Sequence, residues 1–158
     1  MTATIMIPAK LSGSDFVALR VAWNVAQDAS IVLPLQLSLD EITDLVRFLG
    51  KQLPDDFAST VLADLVERPE TPINLLESLF ESADIGLQVA ICIRTDLSGY
   101  LLEKCLSSTV PDVIEHIVFN KAISISDCER LLTTPPGRAA ENAIRRAIEI
   151  KRSPDRMK

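Results

Sequence analysis

Aromatic residues make up only 4% of this 158-residue chain, so Leu, Ile, Val and Ala must supply most of the 47% that is apolar. That profile favours packed helices. Five glycines leave no loop able to cradle a phosphate, and no GxGxxG, Walker, GxSxG or HExxH pattern occurs. The single histidine, His116, would need a Ser or Cys within hydrogen-bond reach for nucleophilic catalysis, and the three cysteines fall at apolar positions instead. Cys92, Cys105 and Cys128 have no CxxC spacing, which leaves buried, reduced thiols as the expectation rather than a metal site or a disulfide. No apolar run approaches the roughly 18 residues of a membrane span. The first ten residues, MTATIMIPAK, lack the charged start and long apolar core of a secretory signal, so the expected location is cytoplasmic. No catalytic residue, cofactor or metal is expected.

Basic charge is also scarce. The formal net charge is -6 and the sequence pI about 4.8, which argues against a nucleic-acid partner, because phosphate contact calls for clustered Lys and Arg. The acids are concentrated: residues 55 to 90 carry eight acids and one base, whereas residues 137 to 158 carry seven bases and three acids. An acidic belt of this kind steers a basic partner towards the surface.

What the chain does have is a unit of 26 residues that reads three times without a gap, Val61 to Ser82, Leu87 to Ser108 and Val113 to Thr134. Its apolar columns are Val61/Leu87/Val113, Leu65/Ile91/Ile117, Val66/Cys92/Val118, Leu76/Leu102/Cys128, Leu79/Cys105/Leu131 and Phe80/Leu106/Leu132. A fixed period of this length marks a stack of units, each burying its apolar face against its neighbours. Each unit reads as two short helices, near 59–68, 85–94 and 111–120 for the first and near 73–82, 99–108 and 125–134 for the second. Pro69 ends a helix, and Pro72, Ser98 and Ser124 open the next. A partial fourth unit begins at Arg138, with Ala139, Ala143 and Ile144 continuing the columns, and its helix closes the stack near Ile150. Residues 153–158 are expected to be a loose tail.

Upstream the period weakens. Asp15 to Ala29 reads as an amphipathic helix capped by Ser14, with Phe16, Leu19, Ala22, Trp23 and Ala26 as its apolar side. Leu39 to Lys51, capped by Ser38, is its partner. Between them Ile31 to Leu37 is too extended and β-branched for a helix; it either pairs with Ala3 to Ile7 as a small ribbon or forms an irregular cap. The expected fold is all-α, a short right-handed α-solenoid in one domain. Residues 1–54 form a divergent N-terminal cap and first helix pair, 55–136 the regular repeats, 137–152 the capping helix and 153–158 the tail.

These columns resemble the leucine-rich variant repeat, a bacterial relative of the HEAT and armadillo solenoids, whose unit runs approximately V-R-x-A-V-A-x-N-P-x-T-P-x-x-x-L-x-x-L. Val61, Leu65, Val66, Pro69, Thr71, Pro72, Leu76 and Leu79 carry the likeness, which covers Val61 to Thr134 and, more weakly, the rest. The Asn-Pro step is replaced by Arg68-Pro69, Arg94-Thr95 and Asn120-Lys121, and the cysteine cluster for an iron–sulfur site found in some relatives is missing. The resemblance implies a curved helical stack and no chemistry.

Candidate contact residues come from the columns and the belt. Glu77, Glu103 and Glu129 recur at the period, as do Arg68, Arg94 and Arg146, with Asn120 between the last two. Asp55, Asp56 and Glu70 belong to the acidic belt, and His116 stands at a position that the other units leave polar or small. The ordinary reading of each is a solvated face or a local salt bridge; the functional reading is contact with another protein. By analogy with short acidic chains that do no chemistry, the expected role is that of a bacterial immunity protein or inhibitor that occludes a basic toxin or enzyme. The alternatives are an adaptor or scaffold in a regulatory or secretion complex, and a HEAT-like enzyme acting on nucleic acid, which the acidic balance disfavours.

Overall fold

The computed structural model of the chain describes residues 3–26 and 28–153, so the expected tail lies outside the described residues apart from Ser153. The chain divides into two compact units, Met1–Leu87 and Gln88–Lys158. Among the described residues it is mostly helical with one small sheet. No helix among them is long and apolar enough to cross a membrane.

Unit 1 opens with β1 (Thr4–Met6), α1 (Gly13–Val25) and β2 (Ser30–Val32), and the two strands pair in parallel with Ile5 opposite Ile31. The ribbon expected from the β-branched segment is therefore present, with α1 as its crossover. It ends earlier than that segment does, because Pro34 has no N–H to continue a ladder. Alternation places Ile5, Ile7 and Leu33 in the core and turns Met6 and Val32 outward.

The cap of α1 lies two residues before the expected Ser14. Ser12 is the N-cap, its hydroxyl accepting the Asp15 N–H while Asp15 accepts the Ser12 N–H, a reciprocal arrangement that satisfies two donors at once. Ser14 bonds the Ser12 hydroxyl at 3.0 Å instead. The helix also stops at Val25 rather than Ala29, since the chain must straighten before Ser30 donates to the Ala3 carbonyl at 2.8 Å.

α2 (Leu39–Gly50) begins at Ser38 as expected, again with a reciprocal cap, from Glu41. It buries Ile42, Leu45, Val46 and Leu49 at helical spacing. A Cβ built on Gly50 would sit 2.8 Å from Leu79 Cδ2, so this end of α2 lies directly on α4 (Ile73–Phe80). α3 (Asp56–Glu67) starts three residues before the expected position because Asp55 caps it, Oδ1 accepting the Ala58 N–H at 3.1 Å. Phe16, Trp23, Phe48 and Phe57 then cluster with ring centroids 5.7–5.9 Å apart, which joins α1 to α2 and α3.

The remaining helices are α5 (Ile85–Cys92), which crosses from unit 1 into unit 2, α6 (Gly99–Leu106), α7 (Pro111–Ile117), α8 (Ile125–Leu132) and α9 (Arg138–Arg152). α4, α6 and α8 start 26 residues apart, at Ile73, Gly99 and Ile125. Ser98 and Ser124 cap α6 and α8 as expected. The first-helix columns are buried throughout, including Leu65 in unit 1 and Ile91 and Ile117 in unit 2. In the second-helix columns Leu76, Leu79, Phe80, Cys105 and Cys128 are buried, and Leu102, Leu106, Leu131 and Leu132 are half-buried.

The turn after the first helix repeats in detail. Arg68 N–H donates to the Leu65 carbonyl, Arg94 N–H to that of Ile91 and Asn120 N–H to that of Ile117, at 3.3, 3.1 and 2.9 Å. α9 departs in part from the expected columns. Its buried residues are Ala140, Ile144, Ala147 and Ile148, whereas Ala139 is exposed and Ala143 half-buried. The helix starts at Arg138, one residue later than the period requires after Pro111, because Pro135-Pro136-Gly137 lengthens the turn. Ala140 and Ile144 still lie one period after the buried Ile114 and Val118, so Ile144 keeps its expected column while Ala139 and Ala143 leave theirs.

All three cysteines are buried and free. The Cys105 thiol beside it, together with burial, pushes the Cys92 thiol well up, and burial does the same to Cys128, so both remain protonated and unreactive at neutral pH.

The serine caps make stability depend on acid. Hydrogen bonds from Ser12, Ser38 and Ser124 hold the carboxyls of Asp15, Glu41 and Asp127 below the ordinary range. Groups with folded values lowered in this way stabilise the chain above their unfolded pKa of about 4, and that contribution is lost as pH falls through the folded value. Urea midpoints are therefore expected to be flat between about pH 5 and 7 and to drop below about pH 4. Ser124→Ala should cost about 1 kcal/mol at pH 7 and less at pH 3. An equal cost at both values would show that Asp127 does not take part.

Candidate functional site

Unit 1 presents an apolar row that the helix pattern leaves unpacked. On α1, Phe16 points into the core and Trp23 leans on Phe57, while Val17, Val21 and Val25 are 52%, 53% and 77% exposed, with Ala18 and Ala22 exposed beside them. The spacing of four residues puts the three valines on one side of the helix. The expected core face holds for Phe16, Leu19, Trp23 and Ala26 but not for Ala22, which lies at its edge and is exposed; the valine row was the signal that reading passed over, since α1 is apolar over much of its circumference. A contiguous exposed apolar row on a capped helix is unusual for a solvated surface.

α3 of the same unit carries an acidic row. Asp56, Asp64 and Glu67 are exposed and make no side-chain hydrogen bond or ion pair among the described residues. Asp55 behaves differently. Its Oδ1 caps α3 and its Oδ2 lies 3.0 Å from Arg20 Nη1, so both oxygens are engaged within the fold. This ion pair also ties α1 to the start of α3. Asp84, further along the acidic belt, accepts the Ser59 hydroxyl and the Leu87 N–H and so serves the start of α5.

The other candidate residues are spread over both units. In unit 1, Arg68 donates from Nη1 to the Pro34 carbonyl at 2.9 Å, and with the exposed Glu70 it lines an open hollow of about 280 Å³ under Leu35 and Leu37. Glu77 is half-buried and engaged within the fold. In unit 2, Arg94 is buried and grips Asp96 in fork geometry, Nε to Oδ1 at 2.8 Å and Nη2 to Oδ2 at 2.6 Å. The guanidinium holds the Asp96 carboxyl below its ordinary range. Glu103 is exposed with the Ser107 hydroxyl at 3.3 Å, and Glu129 is bridged to Arg152 at 2.7 Å.

The arginine column ends early. Arg68, Arg94 and Asn120 hold equivalent turns, but Arg146 stands inside α9, which runs on to Arg152 instead of turning there. Asn120 is the buried member. Its Nδ2 donates to the Arg94 carbonyl at 2.7 Å, its Oδ1 accepts the Ala122 N–H at 2.9 Å, and Lys151 Nζ donates to its carbonyl at 3.0 Å. His116 is exposed, with Nδ1–H donating to the Asp112 carbonyl at 2.7 Å, which leaves Nε2 as the outward nitrogen. Among the described residues no group of three or more His, Cys, Asp or Glu side chains is placed to hold a metal ion. Compared with family models, with curated proteins and with solved structures, the chain matches none.

Proposed function

We propose that the chain is a non-catalytic protein-binding module that covers a functional surface of a basic partner, as an immunity protein or inhibitor does. The observation that carries this reading is the row Val17, Val21 and Val25, apolar and exposed on a helix with a reciprocal N-terminal cap. Burial of such a row in a complex supplies affinity, and the acids Asp56, Asp64 and Glu67 of α3, unpaired among the described residues, supply attraction and orientation. The helix pairs are read as copies of one 26-residue unit of the leucine-rich variant kind in a right-handed α-solenoid. Support for that comes from the even starts of α4, α6 and α8 and from the recurring turn bond at Arg68, Arg94 and Asn120. Units of this sort expose regular surfaces on which contact residues vary freely.

The test is affinity capture from a lysate of the source organism by the immobilised chain and by its Val21→Asp variant. Because Val21 is half exposed, the variant should unfold at the same temperature as the wild type. The wild type is expected to retain a basic protein whose activity falls on addition of the chain, and the variant about tenfold less of it. Equal retention by both, or no retained protein, would overturn the proposal.

A further inference from the structure

Unit 2 carries a groove of opposite character. Between α7 and α9 an open hollow of about 460 Å³ is lined by Glu115, His116, Phe119, Asn142, Ala143 and Arg146. Three observations give it a chemistry. First, the other basic side chains along this part of α9 are committed within the fold: Arg145 to Glu141, Arg152 to Glu129 and Lys151 to the Asn120 carbonyl. Arg146 forms no ion pair or hydrogen bond among the described residues and lines the groove. Second, Phe119 is 43% exposed, a large apolar side chain kept at the surface directly before the buried Asn120. Ile93 holds the same place before Arg94 and is also exposed. Third, Asn142 and His116 add polar groups on both walls, with the Asp112 carbonyl fixing the imidazole so that Nε2 faces outward.

We infer that this groove is a second docking site, which takes a short acidic peptide segment whose carboxylate pairs with Arg146 and whose neighbouring apolar side chain lies on Phe119. The fork of a guanidinium suits a carboxylate, and an aromatic face next to it suits Leu, Ile or an aromatic side chain. Glu115 on the opposite wall disfavours a second acid at its end of the groove and favours a backbone N–H or a basic group there, which gives the bound segment a direction. The ligand is thus of the opposite charge to the partner proposed for unit 1. The site stands independently of that reading, because none of its residues belongs to α1 or α3.

The test is selection of short random peptides displayed on phage, carried out against the whole chain and against its Arg146→Glu and Phe119→Ala variants. Both changes are at exposed positions, and an unchanged melting temperature would show that each variant folds. The wild type is expected to enrich peptides with Asp or Glu beside an apolar residue. Phe119→Ala should weaken the selected peptide about tenfold, and Arg146→Glu should shift enrichment towards Lys and Arg. Amide signals of α7 and α9 should move when a selected peptide is titrated into the labelled chain. Absence of enrichment, enrichment unchanged in Arg146→Glu, or signal changes confined to α1 would overturn the inference.

Discussion

Leu65→Ala is expected to lower the unfolding free energy by about 2–5 kcal/mol, the range for truncating a packed core leucine. Leu65 is fully buried in α3, and its carbonyl also receives the Arg68 N–H and, at 2.5 Å, the Thr71 hydroxyl. Loss of the side chain leaves a cavity at the point where the helix turns, so the surrounding backbone cannot collapse to fill it without breaking those bonds. For a domain stable by about 5–15 kcal/mol, the change is a large fraction of the total. Leu35→Ala is the natural control. Leu35 is 98% exposed, and its truncation should fall within about 0.5 kcal/mol. Urea denaturation of both variants measures the contrast; a cost below about 1 kcal/mol for Leu65→Ala would mean that the α3 column is not a packed core.

Asn120→Ala should cost about 1–3 kcal/mol through polar groups rather than volume. The amide bridges two consecutive turns, 26 residues apart, by donating to the Arg94 carbonyl while accepting the Ala122 N–H. Removing it takes two hydrogen bonds out of a turn packed beside the buried Arg94, and each such bond contributes about 0.5–1.5 kcal/mol. Asn120→Asp separates the two contacts. The carboxylate keeps the acceptor for Ala122 but offers only lone pairs to the Arg94 carbonyl, so it should recover little of the loss. If Asp restored wild-type stability, the bond to Arg94 would be incidental.

The regular half of the chain was legible because the same physics repeats there. Leu65, Ile91 and Ile117 are buried one period apart, and serine residues at 98 and 124 cap helices where a hydroxyl followed by a helix-length apolar stripe predicts a start. Boundaries slipped where the capping side chain had a competitor: Ser12 rather than Ser14 opens α1, because only Ser12 has a carboxylate three residues on. α9 was legible only in part: Ile144 is buried as its column requires, but nothing in the period shows that Ala140, Ala147 and Ile148 would take the core places expected of Ala139 and Ala143. The parallel pairing of β1 with β2 depends on α1 crossing between them, a tertiary fact that two short strands do not encode.

The candidate surfaces were less visible than the fold. Charge columns in the sequence do not separate acids that serve the fold from acids left to solvent. Asp55 and Glu129 proved to be bridged, to Arg20 and Arg152, and Arg94 proved to be buried and paired with the exposed Asp96, whereas Asp56 and Asp64 stand free among the described residues. The exposed valines were hidden by the rule that apolar residues point inward. That rule is one-way, and a helix apolar on two sides buries only one of them without a partner.

Binding through α1 is the central claim, and amide hydrogen exchange of the chain alone and in complex with the captured partner tests it most directly. The account predicts added protection across Gly13–Val25 and Asp56–Glu67 in the complex, with Ile125–Leu132 unchanged. A complex in which α1 exchanges as fast as in the free chain, with protection gathered elsewhere, would contradict it.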